Sequence, residues 1–509
     1  MSLAFSADAL ALVATQPLPT KVAAGAAHRP SLNWEPSHES RPEPERRALL
    51  DFERMLQAGD VLDLRAIPVA GAQVALPAGA KMFRRYGELV RTAYESTGLS
   101  EYDYPLVGSI AMYGGIREML GSKTALLYVG TDEDFAAGTP SAALSPSGEA
   151  TVYHHWAQAI RTEADLPLGA FRQARYFRPA HRSRQAAIFR PLEACDVYEL
   201  HWAFAHQAEA RDQLWTTFEM MAGVADRLGV PLLWSVRPPW TNNGVLSQAT
   251  IAGDALLPHG QTVQLASLYD QGTRFSERFG IRYRDSDGHH PTHQVAAALT
   301  RRLVLAHLWL SAPDSGGLLP HSSIAPIHVA VLMPAGEGQR AAAVESTLAA
   351  VGLRTRVEVV GSRQLRMAIG RWKDRGALAT VILRQETEHH PPVATVVRGS
   401  DRSTVTIRND RMEVAVREAI TTSDLAGRER ASAHLRANLA IPAGPDEARM
   451  AVEAGAVAVV PCAPVQEAII QLSRWGAGDV IGLRLDESGQ RCVVTGHDTD
   501  YVALLARYV

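Results

Sequence analysis

Arg302 raises the question of chemistry, because it stands beside Arg301 in a run from Val295 to Leu310 that is otherwise apolar but for Thr300 and His307. An unpaired guanidinium is costly to bury, so such an arginine either reaches solvent over a packed stem or meets an anion in a cleft. Two more arginines each follow a phenylalanine, at Phe177-Arg178 and Phe189-Arg190, with the basic stretch His181, Arg182 and Arg184 between them. Glu149 falls in the first turn of a helix pattern that starts near Ser147, where a carboxylate complements the helix macrodipole. His289, His290 and His293 gather beside a polar turn and read as a hairpin loop rather than a metal cluster.

Several elements must position these groups. After Gln264 come a helix pattern at Thr273 to Phe279, an alternating strand at Ile281 to Arg284 and a turn at Asp285-Ser286-Asp287-Gly288. The Val295–Leu310 run then reads as one buried helix carrying two arginines. Upstream, Leu62 to Gly79 alternates between breaks at Pro68, Gly71 and Pro77, as a hairpin does. A helix pattern over Met82 to Ser96 stops at Gly98 and leads to a strand over Tyr102 to Val107 that contains Pro105. Another helix spans Arg211 to Leu228. From His328 to Val397 strands and helices alternate, which implies a small α/β domain. Residues 16 to 46 are rich in Pro, Ala, Ser and charge and read as a flexible lead-in, with the fold beginning near Ala48.

The composition excludes several classes. A chain of 509 residues exceeds the size at which single cores stop growing, roughly 250–300 residues, so three or four domains are expected. A net charge of −3 argues against a general nucleic-acid binder. No apolar run approaches the ~18 residues a membrane span needs. Cys195, Cys462 and Cys492 are odd in number and widely spaced, and the first twenty residues lack a basic leader; both fit a cytoplasmic protein.

Taken together, Gln264, Gly272, Asp287-Gly288, Arg302 and the exit at Ile324-Ala325-Pro326 resemble, in order and spacing, the end of the catalytic domain of class II aminoacyl-tRNA synthetases, specifically the prolyl enzymes of archaeal and eukaryotic type. The helix, glycine and strand around Pro105 look like the family's first motif, which builds a dimer interface. Pro146 and Glu149 match the segment whose carboxylate holds the substrate ammonium, with Ser147 and Gly148 replacing a threonine and a serine. Arg178 and Arg190 match the second motif, with Glu193 at its Arg-x-x-Glu, although Ala180 stands where a glutamate is expected. Tyr269, between Leu268 and Asp270, replaces the neighbourhood of a histidine on the pocket floor. Ala296, Ala297 and Ala298 replace glycines of the third motif, where added methyl groups would displace a nucleotide. Arg371, Trp372, Lys373, Arg375 and Gly376 resemble the anticodon-binding domain, with Leu378 in place of a proline. In the last segment only Cys462 and Cys492 stand at positions of the family's four zinc cysteines. Two thiolates cannot close a tetrahedral site, so no structural zinc is expected.

The resemblance implies an α/β (α+β) architecture: a flexible extension over 1–47, a class II antiparallel sheet flanked by helices over 48–325, an anticodon-binding-like α/β domain over 326–428 and a small α+β domain over 429–509. It implies a paralogue that activates an amino acid with ATP and Mg2+ and passes it to a tRNA, a carrier protein or a small molecule, as a homodimer. Arg178 and Arg302 would be catalytic, Arg178, Arg190, Glu193 and Arg302 would bind ATP, and Ser147, Glu149, Gln264 and Tyr269 would bind the amino acid. The alternatives are a catalytically inactive binding or regulatory protein and a genuine divergent proline–tRNA ligase.

Overall fold

The computed structural model describes residues 6–16, 43–120, 125–178, 187–241, 246–334, 338–383, 393–475 and 478–508. An eleven-stranded sheet organises the larger body. Its middle is antiparallel and runs, in spatial order, Leu233–Val236, Ala249–Leu256, Thr262–Gly272, His293–Thr300, Glu193–Phe204 and Leu168–Phe177. Ser100–Glu101 adds a short parallel edge. Helix Gln207–Arg227 crosses the third and fourth of these strands, and helix Pro77–Glu95 lies on Glu193–Phe204. The latter helix opens with Pro at its first position, where the missing N–H costs nothing. Gly79 there lets the helix press on the hairpin, since a Cβ would come 2.1 Å from the Val61 carbonyl oxygen.

The run from Val295 to Leu310 is not one helix. His293–Thr300 is a strand and Arg302–Leu310 a helix. A strand buried on both faces is apolar at successive positions, so its sequence has the same texture as a buried helix. The step between the two elements places Arg301 and Arg302 at the end of a central strand. Similarly, the strand expected over Tyr102 to Val107 is broken: Ser100–Glu101 and Val107–Ser109 join different sheets on either side of Pro105. The hairpin at Leu62 is present as Leu62–Asp63 paired with Val74–Ala75.

The final segment continues the large sheet. Asp479–Arg491 docks beside Leu233–Val236 through the Leu483 and Val236 pair, followed outward by Asp498–Ala506, Val457–Pro461 and Leu439–Ala440. The chain end then turns back, with Thr262 N donating to Arg507 O at 2.8 Å and Tyr508 bridging to Thr262. The smaller body is a five-stranded sheet ordered Thr355–Val359, Val329–Met333, Ala379–Leu383, Val393–Arg398 and Thr404–Arg408. Its first three strands are parallel, as the alternation of strands and helices requires.

Part of the expected N-terminal extension is structured. Ser6 caps helix Ala7–Ala14, accepting from Ala9 N at 3.3 Å. Ala9, Leu10, Leu12 and Val13 are buried against Asp479–Arg491 and Leu233–Val236, and Asp8 pairs with Arg211 at 2.8 Å. A two-turn helix is marginal alone, so it is tertiary packing that holds it and local sequence could not announce it. Residues 17–42 lie outside the described residues. Leu12→Ala leaves a cavity at a fully buried position, and a cost of roughly 2–5 kcal/mol is expected. The thermal midpoint of the large body should fall by about 5 °C or more; an unchanged midpoint by calorimetry would show that this helix does not belong to the cooperative core.

Candidate active site

A cavity of about 480 Å³ gathers Arg178, Arg190, Arg301 and Arg302, with Gln73, Gln264 and Tyr508 on its walls and no carboxylate among its lining residues. Arg178 leaves the end of strand Leu168–Phe177, and its Nε donates to Pro146 O at 3.1 Å. Arg190 lies on the turn before Glu193–Phe204, its guanidinium 5.2 Å from the Tyr508 ring centre. Arg302 Nε donates to Thr300 Oγ1 at 3.2 Å and Nη1 to Phe189 O at 3.5 Å. Burial, with the like charges of Arg178 and Arg190 added to it, pushes Arg302 down to about 10 despite the offsetting Tyr508. Even so the group stays protonated near neutrality, and the strain of clustered cations is relieved most directly by an anion.

Arg301 has a different setting. Its Nη1 stands 3.4 Å from Asp196 Oδ2, its Nη2 donates to Gln73 Oε1 at 2.6 Å, and its guanidinium covers the Phe83 ring at 4.8 Å. Gln73 also donates to the carbonyls of Ala187 and Ile188, and Leu192 N donates to Gly71 O at 3.0 Å. The hairpin thereby fastens the turn that carries Arg190. Glu193, expected at the nucleotide, is instead 2.6 Å from Arg175 and does not line the cavity. The Arg175 guanidinium holds the Glu193 carboxylate outside the cavity lining, although Cys195 and Val197, farther along the same strand, do line it.

A second cluster is acidic. Gly148 caps helix Glu149–Ala159 and sets Glu149 in the first turn, with Oε2 shielded from solvent and lacking a hydrogen-bond partner. Burial and then the neighbouring Glu199 raise the Glu149 carboxyl, while the Ser147 hydroxyl, His201 and a backbone N–H oppose the shift. Glu199 is held below the ordinary range despite its burial, by His201, the Tyr176 hydroxyl and Arg172. Tyr176 donates to Glu199 Oε2, His201 Nε2 stands 3.4 Å from that oxygen, and Tyr153 OH lies 3.0 Å from His201 Nδ1. Arg172, buried, donates to Thr151 Oγ1 at 3.1 Å and Tyr104 O at 3.2 Å. Glycine is needed at 148 by this crowding, since a Cβ would come 1.8 Å from Glu199 Oε2. Tyr269 feels both Glu149 and Arg178, so the acidic cluster adjoins the arginine cavity. Gln264, on the cavity wall, accepts from Tyr508 OH at 3.2 Å.

Sequence reasoning missed Glu199, His201, Tyr176 and Gln73. The first two had a signal: polar residues two apart within an apolar strand share one face. Tyr508 gave none, being brought in by the pairing of the chain end. Ala296, Ala297 and Ala298 do not line the cavity; Ala298 packs by Ala174, Tyr176 and Val197. Ala180, His181, Arg182 and Arg184 lie outside the described residues. His289 and His290 are on strand His289–Pro291 and His293 opens the next strand, rather than forming a loop. Cys462 and Cys492 are buried neighbours, with burial and then Cys492 raising the Cys462 thiol. Among the described residues no three His, Cys, Asp or Glu side chains gather as a metal site. A Mg2+ ion would therefore take its ligands mainly from bound phosphates and water, and no step is assigned to it.

No family model matches the chain. Among solved structures, prolyl-tRNA synthetase of Giardia lamblia in complex with prolyl-adenylate superposes with a TM-score of 0.80 at 19% identity, over 91% of this chain and 99% of that one. The enzyme of Cryptosporidium parvum, complexed with halofuginone and AMPPNP, gives 0.79 at 16% identity over 90% and 94%. The fold is that of a class II aminoacyl-tRNA synthetase. By sequence, the proline–tRNA ligase of Methanopyrus kandleri is 27% identical over 470 residues, 90% of this chain and 95% of its own length. That of Pyrococcus abyssi is 24% identical over 472 residues, 90% and 97%. The chain is thus similar along about nine-tenths of its length to archaeal proline–tRNA ligases and shares the fold of prolyl-tRNA synthetases.

The acidic cluster yields a direct prediction. Glu149 should titrate above the ordinary carboxylate range, and Glu199→Gln, by removing a neighbouring negative charge, should bring it down. Carbon-detected NMR of labelled glutamate, with Glu149→Gln identifying the signal, reads this; an ordinary value that ignores Glu199 would contradict the described electrostatics.

Proposed function

We propose that the chain is an ATP-dependent ligase that forms an aminoacyl adenylate and transfers the aminoacyl group to a tRNA. The observation that carries this reading is the juxtaposition of a cavity walled by four arginines with a sheltered carboxylate cluster, Tyr269 lying within reach of the charges of both Glu149 and Arg178. In the proposed step a substrate carboxylate oxygen attacks the α-phosphorus of ATP; the new P–O bond forms as the bond to the β-phosphate bridge breaks, and pyrophosphate leaves. Arg178 and Arg302 donate to the phosphate oxygens on which charge develops, and Arg190 steadies the phosphates. Glu149, ionised, pairs with the substrate ammonium, and Ser147 orients it. The names of the relatives matched over nine-tenths of the chain favour tRNA as the acceptor over a carrier protein or small molecule.

Which amino acid enters is a separate matter. Tyr269, buried near Glu149 and Arg178, stands where the resemblance expects a histidine, so the floor of the site differs from the family pattern. This favours a substrate other than proline, with a divergent proline–tRNA ligase as the second reading supported by the relatives. A homodimer is proposed through the helix and strand from Met82 to Val107, near exposed Val107 and Tyr128 on the small sheet at that end and Phe135 on the short helix Asp132–Ala136. Light scattering at micromolar concentration should give twice the 55.1 kDa chain mass; a monomer would refute it. A cytoplasmic location suits the unbonded neighbouring thiols of Cys462 and Cys492, and cell fractionation checks it.

Exchange of labelled pyrophosphate into ATP, screened over all proteinogenic amino acids, tests the reaction. Arg302→Ala and Arg178→Ala should each slow it about a hundredfold, a loss on the order of 3 kcal/mol of transition-state stabilisation. Amino-acid affinity should rise with pH as Glu149, held high in the free protein, ionises to meet the ammonium; Glu149→Gln should flatten that limb. No exchange with any amino acid and no ATP binding by calorimetry would leave the inactive binding protein instead.

A further inference from the structure

A second basic cleft, of about 450 Å³, lies away from the arginine cavity, where helix Gln207–Arg227 of the large body faces the small one. Its charged walls are Arg227, Arg354 and Arg417; His321 and His328 also line it, both lowered by burial, and no carboxylate lines it. The three arginines come from different places: a helix end, the loop after Gly352, and helix Met412–Ala437. Arg354 is fixed rather than free-swinging, because Nε donates to Ala325 O at 2.8 Å and Nη2 donates to Ser322 O. Burial and then the like charge of Arg85 bring it down to about 10, with Glu88 offsetting in part, and among the described residues no carboxylate forms an ion pair with it.

The acids of the neighbourhood are already engaged. Asp424 accepts from Ser322 N at 2.8 Å and Ser322 Oγ at 2.5 Å and stands 3.6 Å from His321 Nε2. Asp226 holds Arg428, and Glu413 holds Arg417 Nε at 2.9 Å. With Arg417 already paired, the positive charge left in the cleft is that of Arg227 and the fixed Arg354, and a dianionic or diester phosphate supplies both the balancing charge and the acceptor oxygens. Its walls come from both bodies, so an anion there would also clamp them together.

We propose that this cleft binds a phosphate group, drawn either from an RNA backbone or from a small phosphorylated molecule. The choice of tRNA as one probe rests on the ligase reading; the cleft itself does not. The test uses the full chain and a double variant, Arg227→Gln with Arg417→Gln, both side chains being exposed. Arg354→Gln serves as a second variant, and Arg449→Gln, on an exposed face elsewhere, as the control. Inorganic phosphate is titrated by phosphorus NMR, and unfractionated tRNA by filter binding across a salt series. The double variant should bind phosphate at least tenfold more weakly and lose one phosphate site, while Arg449→Gln stays as wild type. If tRNA affinity also falls, with its log–log salt slope smaller by about one, the phosphate belongs to RNA. If tRNA affinity is unchanged while phosphate binding falls, it belongs to a small molecule. Unaltered binding of both probes in both variants would overturn the proposal. Pyrophosphate exchange without tRNA is measured on the same samples: if it is absent in the wild type, the ligase reading fails and the phosphate titration still decides the cleft.

Discussion

An arginine keeps its charge at any pH a cell visits, so a fold that brings four of them to one sheltered cavity has accepted a repulsion that packing alone cannot remove. Much of the surrounding structure answers that constraint. Thr300 and the Phe189 carbonyl hold Arg302, the Pro146 carbonyl holds Arg178, and Asp196 with Gln73 holds Arg301. Each partner but Asp196 is neutral, so the cavity keeps most of its positive charge. The hairpin at Leu62 and the returning chain end, far apart in sequence, both close on this place: one fastens the Arg190 turn, the other lays Tyr508 beneath Arg190.

Next to it the opposite problem is solved. Glu149 and Glu199 stand near each other in a low-dielectric site, and their environments push them apart: Glu199 is stabilised as the anion by His201, Tyr176 and Arg172, while Glu149 is pushed toward the neutral form. One carboxylate is thus committed to structure, and in the proposed reaction the other meets an incoming cation. Two adjoining clusters of opposite sign suit a zwitterion whose ammonium faces one and whose carboxylate, on reaction, faces the phosphates of the other.

The sequence was legible where local chemistry speaks. Helix Arg274–Phe279 and the alternating small domain followed from periodicity, while the paired strands around Phe177-Arg178 and the gathering of Arg178, Arg190 and Arg302 at one cavity were implied by the resemblance to class II synthetases. It was illegible where long-range contacts decide. The strand inside Val295–Leu310 looked helical because both its faces are buried, and helix Ala7–Ala14 exists only because the last strands cover it. Glu193 falls outside the cavity lining for a different reason: a motif fixes spacing, but pairing with Arg175 fixes direction. Tyr176 and Tyr508 could not be read as site residues at all, since their roles depend on which strands pair.

The central claim is that the arginine cavity and the Glu149 cluster receive one substrate pair. A crystal structure of the full chain with a non-hydrolysable ATP analogue and the amino acid that supports exchange tests it most directly. The account predicts phosphate oxygens within hydrogen-bond distance of Arg178 and Arg302 and the ammonium against Glu149. A nucleotide bound elsewhere, or an ammonium directed to other groups while Glu149 stays unpaired, would contradict it.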